Sequence, residues 1–314
     1  MEILQSGLGP LIQLPDINAF REWNRNKPKG LIDKRMTEAE AVSRFIHDND
    51  CIGTELYGTV RCTMSLVNEI VRQGKKDLRI AGQGVLELDM LLAASLVKSL
   101  DITYIGLEVY CVSNCLRREV ESGRVSCVEW SNASIAWRFK AAAMGIPFIP
   151  TRSNLGTDTF KYSAAKVVKD PFTGDPVCLL PALILDTGII HVHRADKYGN
   201  CQIYGISGFA HEMSRASKNL IITAEEIVDT EVIRAGLTAP SSPTIWWMQL
   251  LKRLLALTLA RCATFISGMK SKSKNGYRLP RNRKLLRLIL ISISMGSRII
   301  RNILTSSVEN VWQD

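Results

Sequence analysis

Between residues 37 and 228 the chain alternates short apolar runs of strand length with segments of helical period, and several junctions contain a glycine. An alternation of strands and helices predicts a parallel sheet that is covered by helices on both faces. The predicted strands are residues 51–54, 78–81, 101–107, 126–129, 177–180, 184–193 and 220–224. We therefore predict an open α/β fold, in which ligands bind beyond the carboxyl ends of the strands.

Several of the predicted helices have recognisable start and stop signals. Thr37 and Glu40 have the spacing of a capping box. Ser131 or Asn132 caps a helix that ends at Gly145. The other predicted helices are residues 64–72, which end at Gly74, and residues 87–100, 116–122 and 210–217.

Composition divides the chain into three parts. Residues 1–35 contain three prolines and are predicted to be an irregular N-terminal arm. Residues 36–235 form the predicted α/β domain, and residues 1–235 together hold 27 Lys and Arg against 28 Asp and Glu. Residues 236–314 hold 13 Lys and Arg against two acidic residues, so the net charge of +10 originates in this basic tail.

The cysteines and the N-terminus point to a reducing compartment. The eight cysteines form no C-x-x-C pair, so neither a zinc ribbon nor a thioredoxin-type motif is expected. The first residues lack the basic and apolar regions of a signal peptide. We expect reduced thiols, a cytoplasmic location and no metal site.

The loop Gly82-Gln83-Gly84 precedes a predicted helix and resembles a phosphate-binding loop, because bare backbone amides can approach an anion there. Glu87 stands where the third glycine of a dinucleotide-binding loop belongs. A tight turn explains the two glycines equally well.

Other polar residues follow the predicted strands. His191 and His193 lie on one side of a strand, but no third metal ligand follows at a defined spacing. We interpret this segment as an interior strand end followed by an Asp/Gly/Asn turn. Three glutamates also follow strands, where a catalytic carboxylate would meet a ligand, and spacing alone singles out none of them: Glu55, Glu108 and Glu129.

Six segments resemble the alpha subunit of family I CoA-transferases, and the likeness is greatest for the glutaconate CoA-transferase type. They are residues 52–58, 66–78, 137–150, 155–158, 193–200 and 223–228. The likeness extends from about residue 33 to residue 234. It implies an open, Rossmann-like, mostly parallel sheet and a heteromer with a beta subunit of the same fold.

The resemblance also implies the transfer of coenzyme A between two carboxylic acids. The nucleophilic glutamate of that family lies on the beta subunit, whereas this chain would shape the acyl and CoA pocket. We expect the pocket to be lined by Gly53, Gly58, Gln83, Gly84, Gly156, Thr157 and Asp158, with Asn132 as a weaker candidate that a capping role explains equally well. The family often has a Gly-Gly-Phe-like loop where this chain has Gly53-Thr54-Glu55, which leaves the acid substrate open.

The likeness stops after Arg234, and the codons of the tail suggest why. Trp and Met have one codon each, so residues 246–248 are encoded by TGG TGG ATG. Read from the third base, these codons and the start of the Gln249 codon encode V-D-A. The following codons allow V-V-E-A-P-F-G-A-H-P-G, which resembles the family at this place. We interpret residues 236–314 as out of frame after a single frameshift near Ala235.

The frameshift interpretation has a structural consequence. The V-D-A-V-V-E strand would be absent, which would leave an unpaired sheet edge and an unstable or inactive chain. Two other functions remain open. One is an acyl-CoA hydrolase component of the same fold, and the other is a membrane-surface or nucleic-acid-binding protein that acts through residues 245–301. We favour a CoA thioester as substrate, with no permanently bound cofactor, no nucleic acid and no membrane partner.

Overall fold

The computed structural model describes residues 2–28, 30–55, 61–83, 86–103, 105–106 and 112–235, with the backbone of 246–248 and 255–259. The N-terminal arm is not irregular, because it contains strand β1 (Ile3–Ser6) and helix α1 (Ile17–Asn26). Asp16 caps α1 by accepting a hydrogen bond from the Ala19 amide at 2.9 Å, and Phe20 packs into the core. The prolines therefore bound these two elements and do not exclude them.

The remaining elements follow in alternation over most of the described chain. The helices are α2 (Glu38–Phe45), α3 (Met64–Gln73), α4 (Leu86–Ala93), α5 (Asn114–Glu121), α6 (Asn132–Met144), α7 (Asp158–Lys161), α8 (Ala210–Ala216) and α9 (Thr230–Ala235). The strands are β2 (Cys51–Thr54), β3 (Leu78–Gly82), β4 (Val97–Ile102), β5 (Ser126–Glu129), β6 (Phe148–Thr151), β7 (Lys166–Lys169), β8 (Pro176–Pro181), β9 (Leu185–Ala195), β10 (Cys201–Ile203), β11 (Ser217–Ile227), β12 (Trp246–Met248) and β13 (Leu255–Leu259).

The larger sheet is mostly parallel, as predicted. Strands β9, β2, β3, β4 and β5 lie side by side in that order, and each neighbouring pair is parallel. On the other edge of β9, β11 is parallel along the whole length of the strand. Within the described chain, β10 is the exception, since it pairs antiparallel with the end of β9 and with β12.

Helices and a second sheet cover the two faces of the large sheet. Ile189 and Ile190 are consecutive in β9 and belong to different buried clusters, because successive side chains of a strand point to opposite faces. One cluster includes residues of α2, α3 and α4, and the other includes residues of α1, α6 and α8. The four-stranded antiparallel sheet β1-β7-β8-β6 packs on the second side and was not predicted as a separate sheet.

The predicted helix signals are confirmed. The Thr37 amide donates to Glu40 Oε2 at 2.8 Å while the Glu40 amide donates to Thr37 Oγ1, which completes the capping box. Gly74 and Gly145 end α3 and α6 in the left-handed conformation that glycine tolerates. Of the two candidates for the cap of α6, Ser131 is the cap, and Asn132 is the first helical residue.

The predicted helix 87–100 was too long. Helix α4 ends at Ala93, Ser95 turns the chain with a φ of 55°, and β4 begins at Val97, opposite Leu78 of β3. An apolar run of this length fits a buried strand as well as a helix, and pairing with β3 decides between them.

The sheet edge beside β11 is paired, contrary to the expectation for an out-of-frame tail. Residues 255–259 lie parallel to residues 220–224 of β11. An open edge presents unpaired N–H and C=O groups, which pair with any extended segment that lies beside them. The rest of residues 236–314 lies outside the described residues, and no helix in the described chain is long and apolar enough to span a membrane.

Candidate active site

The carboxyl ends of the central strands lie at one edge of the large sheet. In this register Thr54, Gly82 and Ile102 end β2, β3 and β4 side by side. Thr54 also lies opposite Ile189 of β9, and β9 continues for six residues past that point to Ala195. The edge is therefore bounded on one side by the extended end of β9, and we call it the carboxyl edge.

A glycine permits close contact between β2 and the loop after β3. Gly82 has a φ of 126°, and a Cβ atom added there would overlap the carbonyl oxygen of Thr54. The next residue, Gln83, is buried, and its Oε1 has no hydrogen-bond partner among the described residues. The second glycine of this predicted loop, Gly84, lies outside the described residues.

A buried ion pair lies directly after β2. The Arg61 Nη2 atom donates to Glu55 Oε1 at 2.6 Å, and the two side chains are 3% and 0% exposed. Arg61 Nη1 also donates to the carbonyl oxygen of Ile206, which fixes the guanidinium between two partners. The ion pair places a carboxylate at the point of the sheet where ligands bind in this class of fold.

A second carboxylate lies close to the first. Glu87, in the first turn of α4, accepts a hydrogen bond from the Thr63 amide at 3.0 Å through Oε1. Its side chain is buried, and burial raises its pKa because the charged form loses hydration. Burial also raises the pKa of Glu55 to about 8, although Arg61 opposes this shift, and Glu87 adds to it by repulsion.

Several buried polar atoms around these carboxylates have no hydrogen-bond partner among the described residues. Buried polar groups are paired in the great majority of cases, so a group of unpaired atoms marks a place where water or a ligand belongs. The atoms at the carboxyl edge are Thr54 Oγ1, Glu55 Oε2, Thr63 Oγ1, Gln83 Oε1, Glu87 Oε2 and Thr103 Oγ1.

The two histidines of β9 border this group and are held by protein partners. His191 Nδ1 lies 2.8 Å from Thr223 Oγ1, and His193 Nδ1 accepts from the Tyr204 amide at 3.1 Å. Burial lowers the pKa of both imidazoles, Glu225 opposes that shift, and Arg61 adds to it. Both rings are therefore expected to be neutral at pH 7.

The turn after β9 is structural, as we interpreted it. Asp196 is buried and accepts hydrogen bonds from the Tyr198 and Asn200 amides, both at 2.9 Å. It also accepts from the Thr230 hydroxyl at 2.8 Å. No group of three or more metal-ligating side chains lies within the part of the chain that the structure describes.

The remaining predicted pocket residues form a second group. Thr157 caps the short helix α7, Gly156 before it has a φ of 70°, and Asp158 is its exposed first residue. The Ser134 hydroxyl donates to Asn154 Oδ1 at 2.8 Å, which joins this turn to the start of α6, where Asn132 is exposed. The structure therefore brings residues 156–158 near the start of α6.

Gly53 lies inside the core. A Cβ atom there would overlap Leu185 and lie 2.9 Å from Met213 Sδ, so this glycine permits the packing of α8 against β2. Gly58 and the strand-end glutamate Glu108 lie outside the described residues.

Sequence reasoning missed the roles of Arg61, Glu87 and Asp101. Arg138 Nη1 donates to Asp101 Oδ1 at 2.6 Å, with 1% and 3% of the two side chains exposed. The guanidinium lies over the Trp130 ring at 4.0 Å, and its Nε donates to the Pro181 carbonyl at 3.0 Å. This network ties β4 to β8 beneath the carboxyl edge. Each partner comes from a distant segment, so no local pattern announces it.

Comparison with known proteins assigns the class. Residues 35–240 match the family model described as coenzyme A transferase. The chain is 50% identical over 247 residues to an uncharacterized protein of Archaeoglobus fulgidus, which covers 77% of this chain and 55% of that protein. It is also 35% identical to the A-type subunit of the 3-oxoadipate CoA-transferase of Pseudomonas knackmussii, over 62% of this chain and 70% of that relative.

A solved structure agrees with this assignment. The glutaconate coenzyme A-transferase of Acidaminococcus fermentans superposes with a TM-score of 0.65 at 27% identity, covering 72% of this chain and 75% of that chain. This chain belongs to the coenzyme A transferase family. Its match to an A-type relative places it with the alpha subunits of that family. It spans about half the length of the first of these relatives.

Proposed function

We propose that this chain is the alpha subunit of a heteromeric CoA-transferase, which moves coenzyme A from an acyl-CoA to a carboxylic acid. The observation that carries the proposal is the family match over residues 35–240, which includes every strand of the parallel sheet from β2 to β11. The unpaired polar atoms at the carboxyl edge support a ligand site in the same place.

In the proposed reaction, a glutamate of the beta subunit attacks the thioester, and an acyl-enzyme anhydride then exchanges for a glutamyl-CoA thioester. This chain contributes pocket walls and hydrogen-bond donors. Among the candidates, Gln83 lies at the carboxyl edge, whereas Asn132, Gly156, Thr157 and Asp158 lie around the start of α6. Backbone amides of these turns would stabilise the oxyanions that form during acyl transfer.

The proposed substrate is a glutaconate-like carboxylic acid, and the proposed location is the cytoplasm. Hydrolysis of the acyl-CoA is the second candidate function. It is favoured by Glu55, whose buried carboxylate follows β2 where the family often has an aromatic residue. A carboxylate with a raised pKa suits proton transfer, which hydrolysis requires.

We further propose that residues 236–314 are out of frame. The family match ends at residue 240, and the tail holds the whole excess of positive charge, both of which support the proposal. In this interpretation β12 and β13 occupy sheet edges that an in-frame segment would otherwise fill. A basic tail of this kind carries no membrane or nucleic-acid function.

The test is co-expression with a beta subunit in two forms, the chain as written and the chain with its frame restored by one nucleotide. The complexes are assayed by mass spectrometry for thioester exchange between acyl-CoAs and a panel of carboxylic acids that includes glutaconate and 3-oxoadipate. We expect exchange with the frame-restored chain. Liposome or DNA binding that disappears when residues 236–314 are deleted, in a complex without exchange, would instead support the basic-tail function.

A further inference from the structure

The carboxylate of Glu55 has one occupied and one unoccupied acceptor atom. Its Oε1 receives the Arg61 guanidinium at 2.6 Å, and its Oε2 has no hydrogen-bond partner among the described residues. The side chain has no exposed surface. Glu55 is therefore held in one orientation, with a free oxygen inside the carboxyl edge.

The neighbouring unpaired atoms define what can occupy this place. Glu87 Oε2 and Gln83 Oε1 are acceptors, and the hydroxyl of Thr54 can donate or accept. Thr54 Oγ1 lies beside Gly82, at 3.2 Å from where a Cβ would stand, so it adjoins the Gln83 loop. A group dominated by acceptors requires a partner that brings hydrogens. Water satisfies this need, since it donates two hydrogen bonds and fits a buried polar site.

The geometry points to Glu55 as a catalytic residue of this chain, which takes a proton from an enclosed water and so gives the complex an acyl-CoA hydrolase activity. Arg61 is the corresponding positioning residue, because it holds the carboxylate and is itself held by the Ile206 carbonyl. This inference rests on the proposed function, since it uses the same acyl-CoA site.

The step balances with water as the co-reactant. Glu55 Oε2 accepts a proton while the water oxygen forms a bond to the thioester carbonyl carbon. The tetrahedral intermediate then breaks its C–S bond, and the sulfur leaves with the proton that Glu55 returns. The products are a carboxylic acid and the thiol of coenzyme A, and Glu55 is regenerated as a carboxylate.

Electrostatics supports the role that the geometry assigns. The groups that act on Glu55 are the Arg61 guanidinium and the Glu87 carboxyl, and the buried Cys201 thiol is also near enough to interact with it. Burial raises the pKa of Glu55 to about 8, with Arg61 opposing the shift. A general base is most effective when its pKa lies near the working pH.

Hydrolysis and transfer make different demands on Glu55. In transfer both nucleophiles are carboxylates, which attack without losing a proton. In hydrolysis the nucleophile is water, which must lose one. Replacement of Glu55 is therefore expected to reduce hydrolysis and to spare transfer.

The test uses the complex of the full chain with its beta subunit, and acetyl-CoA and glutaryl-CoA as probes. Thiol release without an acceptor acid reports hydrolysis, and exchange with added carboxylic acid reports transfer. We expect Glu55→Gln to lower hydrolysis about 100-fold or more, while transfer changes less than about threefold. Glu129→Gln is the matched control, since Glu129 also follows a strand and is exposed.

Two further variants distinguish catalysis from a structural role. Glu55→Asp retains a base and should hydrolyse faster than Glu55→Gln. Arg61→Gln removes the cation that lowers the pKa of Glu55, so the rise of hydrolysis with pH should move to higher pH. A wild-type complex that transfers but does not hydrolyse overturns the inference. So does equal loss of both activities in the Gln and Asp variants. A complex with neither activity refutes the proposed function as well.

Discussion

Replacing Arg138 by methionine removes the cation that faces the buried carboxylate of Asp101. We expect this change to lower the free energy of unfolding by about 3–5 kcal/mol, the range for leaving one partner of a buried ion pair uncompensated. The Pro181 carbonyl also loses its donor, which adds about 1 kcal/mol and places the value toward the upper end. Methionine keeps apolar contact with the Trp130 ring, so the cavity contribution is small.

Urea unfolding followed by tryptophan fluorescence measures the change. With a slope of about 3 kcal/mol per M, the midpoint should fall by between about 1 and 1.7 M. The double variant with Asp101→Asn should be less destabilised than Arg138→Met alone, because the unpaired charge is gone. The control is Arg234→Met, which breaks an ion pair with Glu231 whose side chains are 66% and 78% exposed. It should cost about 0.5 kcal/mol or less.

A loss below about 1 kcal/mol for Arg138→Met would refute the reasoning, since it would mean that water reaches Asp101 or that the network does not form. Equal destabilisation by Arg138→Met and by the double variant would show that the guanidinium acts through packing and not through charge. Either result would remove the argument that this network supports the carboxyl edge from below.

Three further predictions follow from single positions. Gly82→Ala should lower the melting temperature far more than Gly156→Ala, because both have positive φ but only the first Cβ meets backbone, at Thr54. Burial raises the pKa of Glu55 from 4.5 to about 8, so ionisation costs stability as the pH rises above about 4.5 and through 8. Glu55→Gln should therefore gain stability relative to wild type between pH 5 and pH 9 in paired urea titrations, and a constant difference would contradict this. Restoring the frame near Ala235 should raise soluble yield and melting temperature, and an unchanged melting temperature would argue against a frameshift.

Local sequence signals determined much of the fold. The capping box at Thr37 and the glycines at positions 74 and 145 act within a few residues, so they set the helix ends without help from the rest of the chain. The alternation of strand and helix determined the parallel sheet, since a parallel pair requires a crossover. The order of the family's segments likewise identified the class before any coordinates.

Tertiary structure decided what distant segments do to each other. Residues 87–100 are compatible with a helix until β3 offers a partner for β4 at Val97. Likewise, Glu55 was one of three equivalent strand-end glutamates. It differs from exposed Glu129 because the fold encloses it with Arg61 and Glu87, and no spacing rule links these residues. Sequence determines which groups are available, whereas burial and pairing across the fold determine which of them carry a free oxygen and an altered pKa.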